Sequence, residues 1–182
     1  MHAMTAANLR SAYAGESMAH MRYLLWGERA EKDGFPNVGR MFKAIAYAEQ
    51  CHATNHFRAL AGEAGPFDVT GGGVFGLDGT SEALQGGIDG ETFEIEEMYP
   101  AYLEVATFQG ERDAQQSFHY ALEAEKIHAD WYVKAKHAVD AGKDVDLGTV
   151  RICKVCGYTI EGGAPDYCPI CGAKADAFVA FE

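Results

Sequence analysis

The chain has 182 residues, 48% of them hydrophobic, five cysteines and a formal charge of −12. That length supports one good core plus a small appendage, and the acidic balance repels phosphate backbones and anionic membranes, so neither nucleic acid nor a membrane is an expected partner. No apolar run approaches the ~20 residues of a membrane span, and the start, Met1-His-Ala-Met-Thr-Ala-Ala-Asn, lacks signal-peptide architecture, which predicts a cytoplasmic protein.

Helical periodicity predicts four long helices. The first runs from about Thr5, a good N-cap, to about Asp33, where Gly34 and Pro36 stop it. Leu9, Tyr13, Glu16, His20, Tyr23 and Gly27 fall on one side of it, and Glu16 is the anomaly in that company; taken alone it also fits a surface stripe. The second runs from near Asn37 to around Gly62, with Val38, Phe42, Ile45, Glu49, His52, His56 and Leu60 along one face. Glu49 and His52 therefore sit where apolar residues belong. His56, one turn on, reads as a supporting or core histidine, and Cys51 as a small buried filler.

Residues 63–80 are glycine-rich and without periodicity. They hold the position of the long crossover that a ferritin-type bundle needs, or of a flexible hinge. The third helix starts near Ser81 and carries Glu91, Glu94, Glu96 and Glu97 ahead of Met98-Tyr99-Pro100. Pro100 cannot donate to the Glu96 carbonyl, so a kink is expected just after the carboxylates. The fourth spans about Arg112 to Ala141, with Gly142 as its stop and Phe118, Ala121, Glu125, His128, Tyr132 and Ala135 facing inward. Trp26 and Trp131 read as packing residues.

After Gly142 the periodicity ends. Residues 146–182 contain Cys153-x-x-Cys156 and Cys168-x-x-Cys171, with eleven residues between the pairs. A segment this short cannot hold a core without a staple, and in a reducing compartment two such pairs make a tetrahedral four-sulfur metal site. The spacing leaves the metal open: zinc would make a scaffold, iron a one-electron carrier.

Glu49-x-x-His52 and Glu125-x-x-His128 each place a carboxylate and an imidazole one turn apart on one helix face. Added to Glu16, Glu91 and Glu94 from two further helices, they match the recipe for a dimetal site inside a four-helix bundle. Burying one unpaired carboxylate costs on the order of 20 kcal/mol in the idealised limit. Glu16, Glu49, Glu91, Glu94 and Glu125 together therefore need counter-charge, which two divalent cations supply. Mixed carboxylate and imidazole ligation suits iron or manganese better than structural zinc.

Read in order, Gly15-Glu16-Ser17, Glu49-x-x-His52-Ala, Gly90-Glu91-x-x-Glu94, Glu97-Met-Tyr-Pro100, Ala124-Glu125-x-x-His128-Ala, Cys153-x-x-Cys156-Gly-Tyr158 and Cys168-Pro-x-Cys171-Gly resemble the rubrerythrin family. The resemblance covers nearly the whole chain and implies a mainly α protein. Its parts would be a ferritin-like four-helix bundle at 1–142 and a small rubredoxin-like β/loop domain at 146–182. It implies two non-haem irons, one held by Glu16, Glu49, Glu94 and, depending on oxidation state, His52, the other by Glu91, Glu125 and His128. Glu49 and Glu125 would bridge, and Glu94 and His52 would exchange on reduction. It implies one further iron on Cys153, Cys156, Cys168 and Cys171, with Tyr23 and Tyr99 hydrogen-bonding around the iron pair.

The activity so implied is an oxidoreductase in oxidative-stress defence: reduction of hydrogen peroxide to water, NADH-linked through an external flavoprotein reductase or small redox protein. A ferroxidase using O2 and a zinc-stabilised helical adaptor are the alternatives. At 1.5 Å per residue, Glu125 lies roughly 25 Å back along its helix from Gly142. Unless the linker 143–150 folds back, that distance calls for a head-to-tail homodimer or higher homo-oligomer, as the family resemblance also implies.

Overall fold

The computed structural model describes residues 1–182. Its helices are α1 (Ala3–Lys32), α2 (Pro36–Ala59), α3 (Thr80–Phe93), α4 (Tyr99–Phe108) and α5 (Arg112–Asp140), with a π-helical segment, Glu94–Met98, joining α3 to α4. The four expected helices are present, the third in two parts.

α1 begins before Thr5, which lies inside the first turn and donates its hydroxyl to Gln109 Oε1 at 2.6 Å. Its buried stripe is Leu9, Ala12, Glu16, Ala19, Tyr23, Trp26 and Ala30. Tyr13 is exposed, a correction to the sequence reading, whereas His20 is half-buried with Nδ1 2.6 Å from the Ala46 carbonyl of α2. The stripe is set by small residues, because α1 and α2 approach closely: a Cβ on Gly27 would stand 3.0 Å from the Gly39 carbonyl oxygen. The face of α2 is as expected, with Val38, Phe42, Ile45, Glu49, His52, His56 and Leu60 all buried.

The segment from Ala61 to Gly79 crosses the bundle without strand or helix. Trp26 Nε1 donates to the Gly76 carbonyl at 2.8 Å and ties this crossover to α1. The expected kink takes another form. In the π segment the Tyr99 N–H reaches the Glu94 carbonyl, five residues back. The wider turn absorbs the missing donor of Pro100 among the carboxylates themselves, rather than after them.

Two apolar clusters fill the bundle, one around Tyr23, Trp26, Phe42, Leu84 and Tyr132, the other around Leu9, Tyr99, Phe118 and Ala121. On α1, α2 and α5 the buried acids and histidines lie between the two. Burial of both clusters on either side of a polar layer holds that layer in place from above and below.

Gly142, at φ +72°, turns the chain out of α5. The linker then returns along the start of α2. Asp144 accepts the backbone N–H of Asn37 (2.8 Å) and of Val38 (3.2 Å), capping that helix with a negative charge, and Asn37 Nδ2 donates to the Val145 carbonyl at 2.9 Å. The C-terminal module is a three-stranded antiparallel sheet, order β2-β1-β3, of β1 (Val150–Cys153), β2 (Thr159–Glu161) and β3 (Phe178–Phe181). Val150 and Ile152 of β1 pack on Ala44 and Ala48 of α2. The fold-back therefore brings the module onto its own bundle, and the separation that called for a partner subunit is closed within one chain.

Candidate metal centres

Glu16 from α1, Glu49 and His52 from α2, Glu91 from α3, and Glu125 and His128 from α5 are each exposed by 1% or less. They form two adjoining groups: Glu16, Glu49, His52 and Glu125, and Glu49, Glu91, Glu125 and His128, with potential ligand atoms within 4.8 Å of one another. Glu49 and Glu125 belong to both, the positions expected to bridge. Glu94 belongs to neither. It is half-buried on the π segment, and the imidazole of His52 stands in the first group instead.

The two imidazoles are aimed alike. His52 Nδ1 is 2.8 Å from Glu49 Oε2 and 2.8 Å from Glu125 Oε1, and His128 Nδ1 is 2.6 Å from Glu125 Oε2. Their outer nitrogens meet the C-terminal module: His52 Nε2 faces the Cys156 carbonyl at 3.1 Å, and His128 Nε2 faces Thr159 Oγ1 at 2.8 Å. Donation outward through Nε2–H would free each Nδ1 lone pair for a cation held among the carboxylates, which is how an imidazole ligand is held. Tyr23 donates to Glu91 Oε1 at 2.9 Å, and Tyr99 donates to Glu16 Oε1. His56 is buried beside them, with Nε2 3.0 Å from the Tyr99 hydroxyl and Nδ1 2.8 Å from Ser117 Oγ.

Electrostatics show what this cluster lacks. Burial, reinforced by neighbouring carboxylates, raises the carboxyls of Glu16, Glu91 and Glu94 well above the usual range. Burial acts on Glu49 in the same sense, but His128 and His52 overcome it and hold its carboxyl at about 2. Against their own burial, Glu125 and Glu49 raise His52 well above its ordinary range, and His128 to about 9. His56, which has no carboxylate as a hydrogen-bond partner, is lowered by burial, and then by His52, to about 3. Glu16 Oε2 and Glu49 Oε1 are buried without a hydrogen-bond partner. Orphaned anionic oxygens in a dry interior fit bound cations, and a carboxylate- and imidazole-rich donor set fits iron.

In the module, the sulfurs of Cys153 and Cys171 are 3.6 Å apart and those of Cys156 and Cys168 3.5 Å. Tetrahedral ligation with metal–sulfur bonds of about 2.3 Å gives sulfur–sulfur edges of about 3.8 Å, so the cage is nearly at size. Hydrogen bonding from Cys156 lowers the Cys153 thiol to about 5 and raises Cys156 in return. Backbone N–H groups of Val155 and Cys156 point at the Cys153 sulfur, that of Tyr158 at Cys156 and that of Ala173 at Cys171. Thiolates so hydrogen-bonded suit an iron whose charge changes by one.

Residues 7–136 match the family model described as "Rubrerythrin", and 152–179 match "Rubrerythrin, rubredoxin-like domain". The chain belongs to the rubrerythrin family. It is 54% identical to Rubrerythrin-2 of Clostridium acetobutylicum, over 99% of this chain and 98% of that one. It is 33% identical to nigerythrin of Nitratidesulfovibrio vulgaris, over 97% of this chain and 86% of the relative. The solved structure of nigerythrin in its fully reduced, all-ferrous state superposes with a TM-score of 0.85 at 31% identity, covering 97% of this chain and 86% of nigerythrin. The fold is thus the expected one, a ferritin-like bundle followed by a rubredoxin-like module, and the carboxylate–histidine groups and four-cysteine cluster are consistent with the iron cofactors of a rubrerythrin. Two residues escape a sequence reading: Thr159, a buried strand residue, and Ser117, a small helical one. Nothing in their type or spacing marks them as neighbours of an iron site.

Proposed function

We propose that this chain is a non-haem di-iron peroxidase of oxidative-stress defence, reducing hydrogen peroxide to water with electrons received through its rubredoxin-like centre. The observation that carries this reading is the hydrogen bond of His52 to the Cys156 carbonyl: one ligand of the four-sulfur site touches one ligand of the dimetal site. Glu16, Glu49, His52 and Glu125 would hold one iron, Glu49, Glu91, Glu125 and His128 the other, with Glu49 and Glu125 bridging. Glu94, on its widened helical turn beside Glu91, would alternate with His52 as oxidation state changes. When bound, the iron pair supplies two electrons at once and the four-sulfur iron returns them singly.

The chain's own residues supply the rest. Tyr23 and Tyr99 orient Glu91 and Glu16 by donating to them, and both hydroxyls are buried. A cavity of about 390 Å³ lined by Gly15, Gly72, Gly90, Phe93, Glu94 and Tyr102 opens beside Glu94 and has room for a small oxidant. Of the four cysteines only Cys171 is not buried, and exposed Val155 and Tyr167 lie on the same module. An external flavoprotein reductase or small redox protein, NADH-linked, would deliver electrons there. No helix is long and apolar enough to cross a membrane, which accords with a cytoplasmic role.

The test is anaerobic: the fully reduced protein is mixed with hydrogen peroxide or with O2, and iron oxidation is followed by absorbance. Rapid stoichiometric oxidation by peroxide and slow oxidation by O2 support the peroxidase. The reverse order supports a ferroxidase. Zinc in the module, with no iron in the bundle, would overturn both.

A further inference from the structure

Peroxide reduction consumes two protons with its two electrons, and the groups that would hold iron are almost wholly buried. His56 is the buried titratable group that the reading above leaves without a task. It lies one turn beyond His52 on α2, outside both ligand groups, and bonds at both ring nitrogens. Followed outward, its Nδ1 meets Ser117 of α5, and Ser117 lines a surface pocket of about 260 Å³ with Asn55, Arg58, Asp113, Gln116 and Tyr120. Followed inward, its Nε2 meets Tyr99, which donates to Glu16.

We propose that Ser117, His56 and Tyr99 form a proton-relay path from this polar pocket to Glu16, distinct from the opening beside Glu94. The proposal rests on the peroxidase reading and adds two positioning residues, Ser117 and His56, to it.

Hydrogen counting fixes the direction. The Tyr99 hydroxyl has one hydrogen, and it is given to Glu16 Oε1, so Tyr99 accepts from His56 and His56 Nε2 carries a hydrogen. Its Nδ1 is then a bare acceptor, which takes the hydroxyl hydrogen of Ser117. Every donor along the path thus points toward the iron-binding groups. In one transfer a pocket water gives a proton to Ser117 Oγ, and the Ser117 hydrogen moves to His56 Nδ1. The Nε2 hydrogen of His56 moves to the Tyr99 oxygen, and the Tyr99 hydrogen moves to Glu16. One O–H or N–H bond forms for each that breaks, and one proton enters. The path then points outward and His56 must regain its first tautomer, so one proton per turnover arrives this way; the other has the opening beside Glu94.

Two measurements test the path. The first is nitrogen NMR of histidine-labelled full-length protein with zinc in place of iron, which reads the tautomer of His56 directly. A neutral ring protonated at Nε2 is expected; a ring protonated at Nδ1 would force Tyr99 to donate to His56 rather than to Glu16, and overturns the proposal. The second compares the wild type with Ser117→Ala and Ser117→Thr, each first shown to bind iron fully. Ser117→Ala should slow peroxide oxidation of the reduced protein by about tenfold or more and change its solvent deuterium isotope effect, while Ser117→Thr restores both. Wild-type rate and isotope effect in Ser117→Ala overturn the relay. Wild-type protein that peroxide fails to oxidise overturns the peroxidase reading instead, and with it this role.

Discussion

Gly157 stands directly against the imidazole of His52: its φ is +81°, and a Cβ built there would overlap Nε2. Only glycine permits both the backbone conformation and the approach. Gly157→Ala should therefore lift the module from His52 while leaving the bundle ligands in place. Peroxide oxidation of the pre-reduced bundle is expected to continue, whereas re-reduction of the bundle through the module slows by about tenfold or more. Stopped-flow absorbance separates the two phases, and equal slowing of both would mean that the substitution acts on the bundle.

Glu125 belongs to both ligand groups, so its removal reaches both irons. Glu125→Ala also removes an acid 2.8 Å from the imidazole of His52 and the acid nearest His128. Iron in the bundle should fall below the wild-type content while the thiolate-to-iron colour of the module persists. Metal analysis beside a visible spectrum checks this, and full iron occupancy would remove Glu125 from the ligand set.

The shifted carboxyls and imidazoles predict how the metal-free protein responds to pH. Glu16, Glu91 and Glu94 are raised from an ordinary 4.5, and His128 from 6.5 to about 9. Between the ordinary and raised values the folded state holds more protons than the unfolded one, so stability is fullest at the acid side and falls as pH rises. Glu49, lowered to about 2, acts in the opposite sense only below its ordinary 4.5. His56, lowered to about 3, opposes the trend up to 6.5, and Cys153, lowered to about 5, opposes it up to 9, but the raised groups, His52 among them, outnumber these two. Thermal unfolding of the metal-free protein should therefore move to lower temperature from about pH 5 to about pH 9, and iron should flatten the trend by replacing the protons. A metal-free melting curve that rises over this range would contradict the burial of these groups.

The ligands were legible because they violate a pattern. Glu49, His52, Glu125 and His128 occupy apolar positions of strongly periodic helices, and the paired cysteines have few other uses in so short a segment. Glu94 lies outside the two ligand groups on a π turn, which a 3.6-residue period cannot reveal. The face of α1 was misjudged at Tyr13, an aromatic ring at helical spacing, while close packing selected Ala12 and Ala19. The fold-back depends on Asp144 capping a helix more than one hundred residues earlier in the chain, a long-range pairing with no local signature.

A chain ending at Gly142 tests how separate the two domains are. Its apolar clusters remain intact, since they draw chiefly on α1 to α5, so the bundle should stay helical by circular dichroism. His52 and His128, however, lose the Cys156 carbonyl and the Thr159 hydroxyl that orient them. Loss of such outer hydrogen bonds weakens metal sites by about 10- to 100-fold, so bundle iron should be retained less tightly than in the full chain. Unchanged affinity in a competition with a chelator would show that the module carries electrons without shaping the site.

The last prediction concerns which subunit is served. The linker is fixed at Asn37, Val38 and Arg40 of its own α2, and β1 packs on Ala44 and Ala48 of the same helix. Cys156 therefore faces His52 of its own chain. Two inactive variants, Cys153→Ser in the module and Glu49→Ala in the bundle, separate the alternatives when co-expressed to form mixed oligomers. In-chain docking leaves each mixed oligomer with one chain that lacks its electron carrier and another that lacks its iron pair, so donor-driven peroxidase activity should stay at the level of the separate variants. Partial recovery in oligomers shown to be mixed would mean that modules are exchanged between subunits. It would also show that the contact of Gly157 with His52 can form across a subunit boundary.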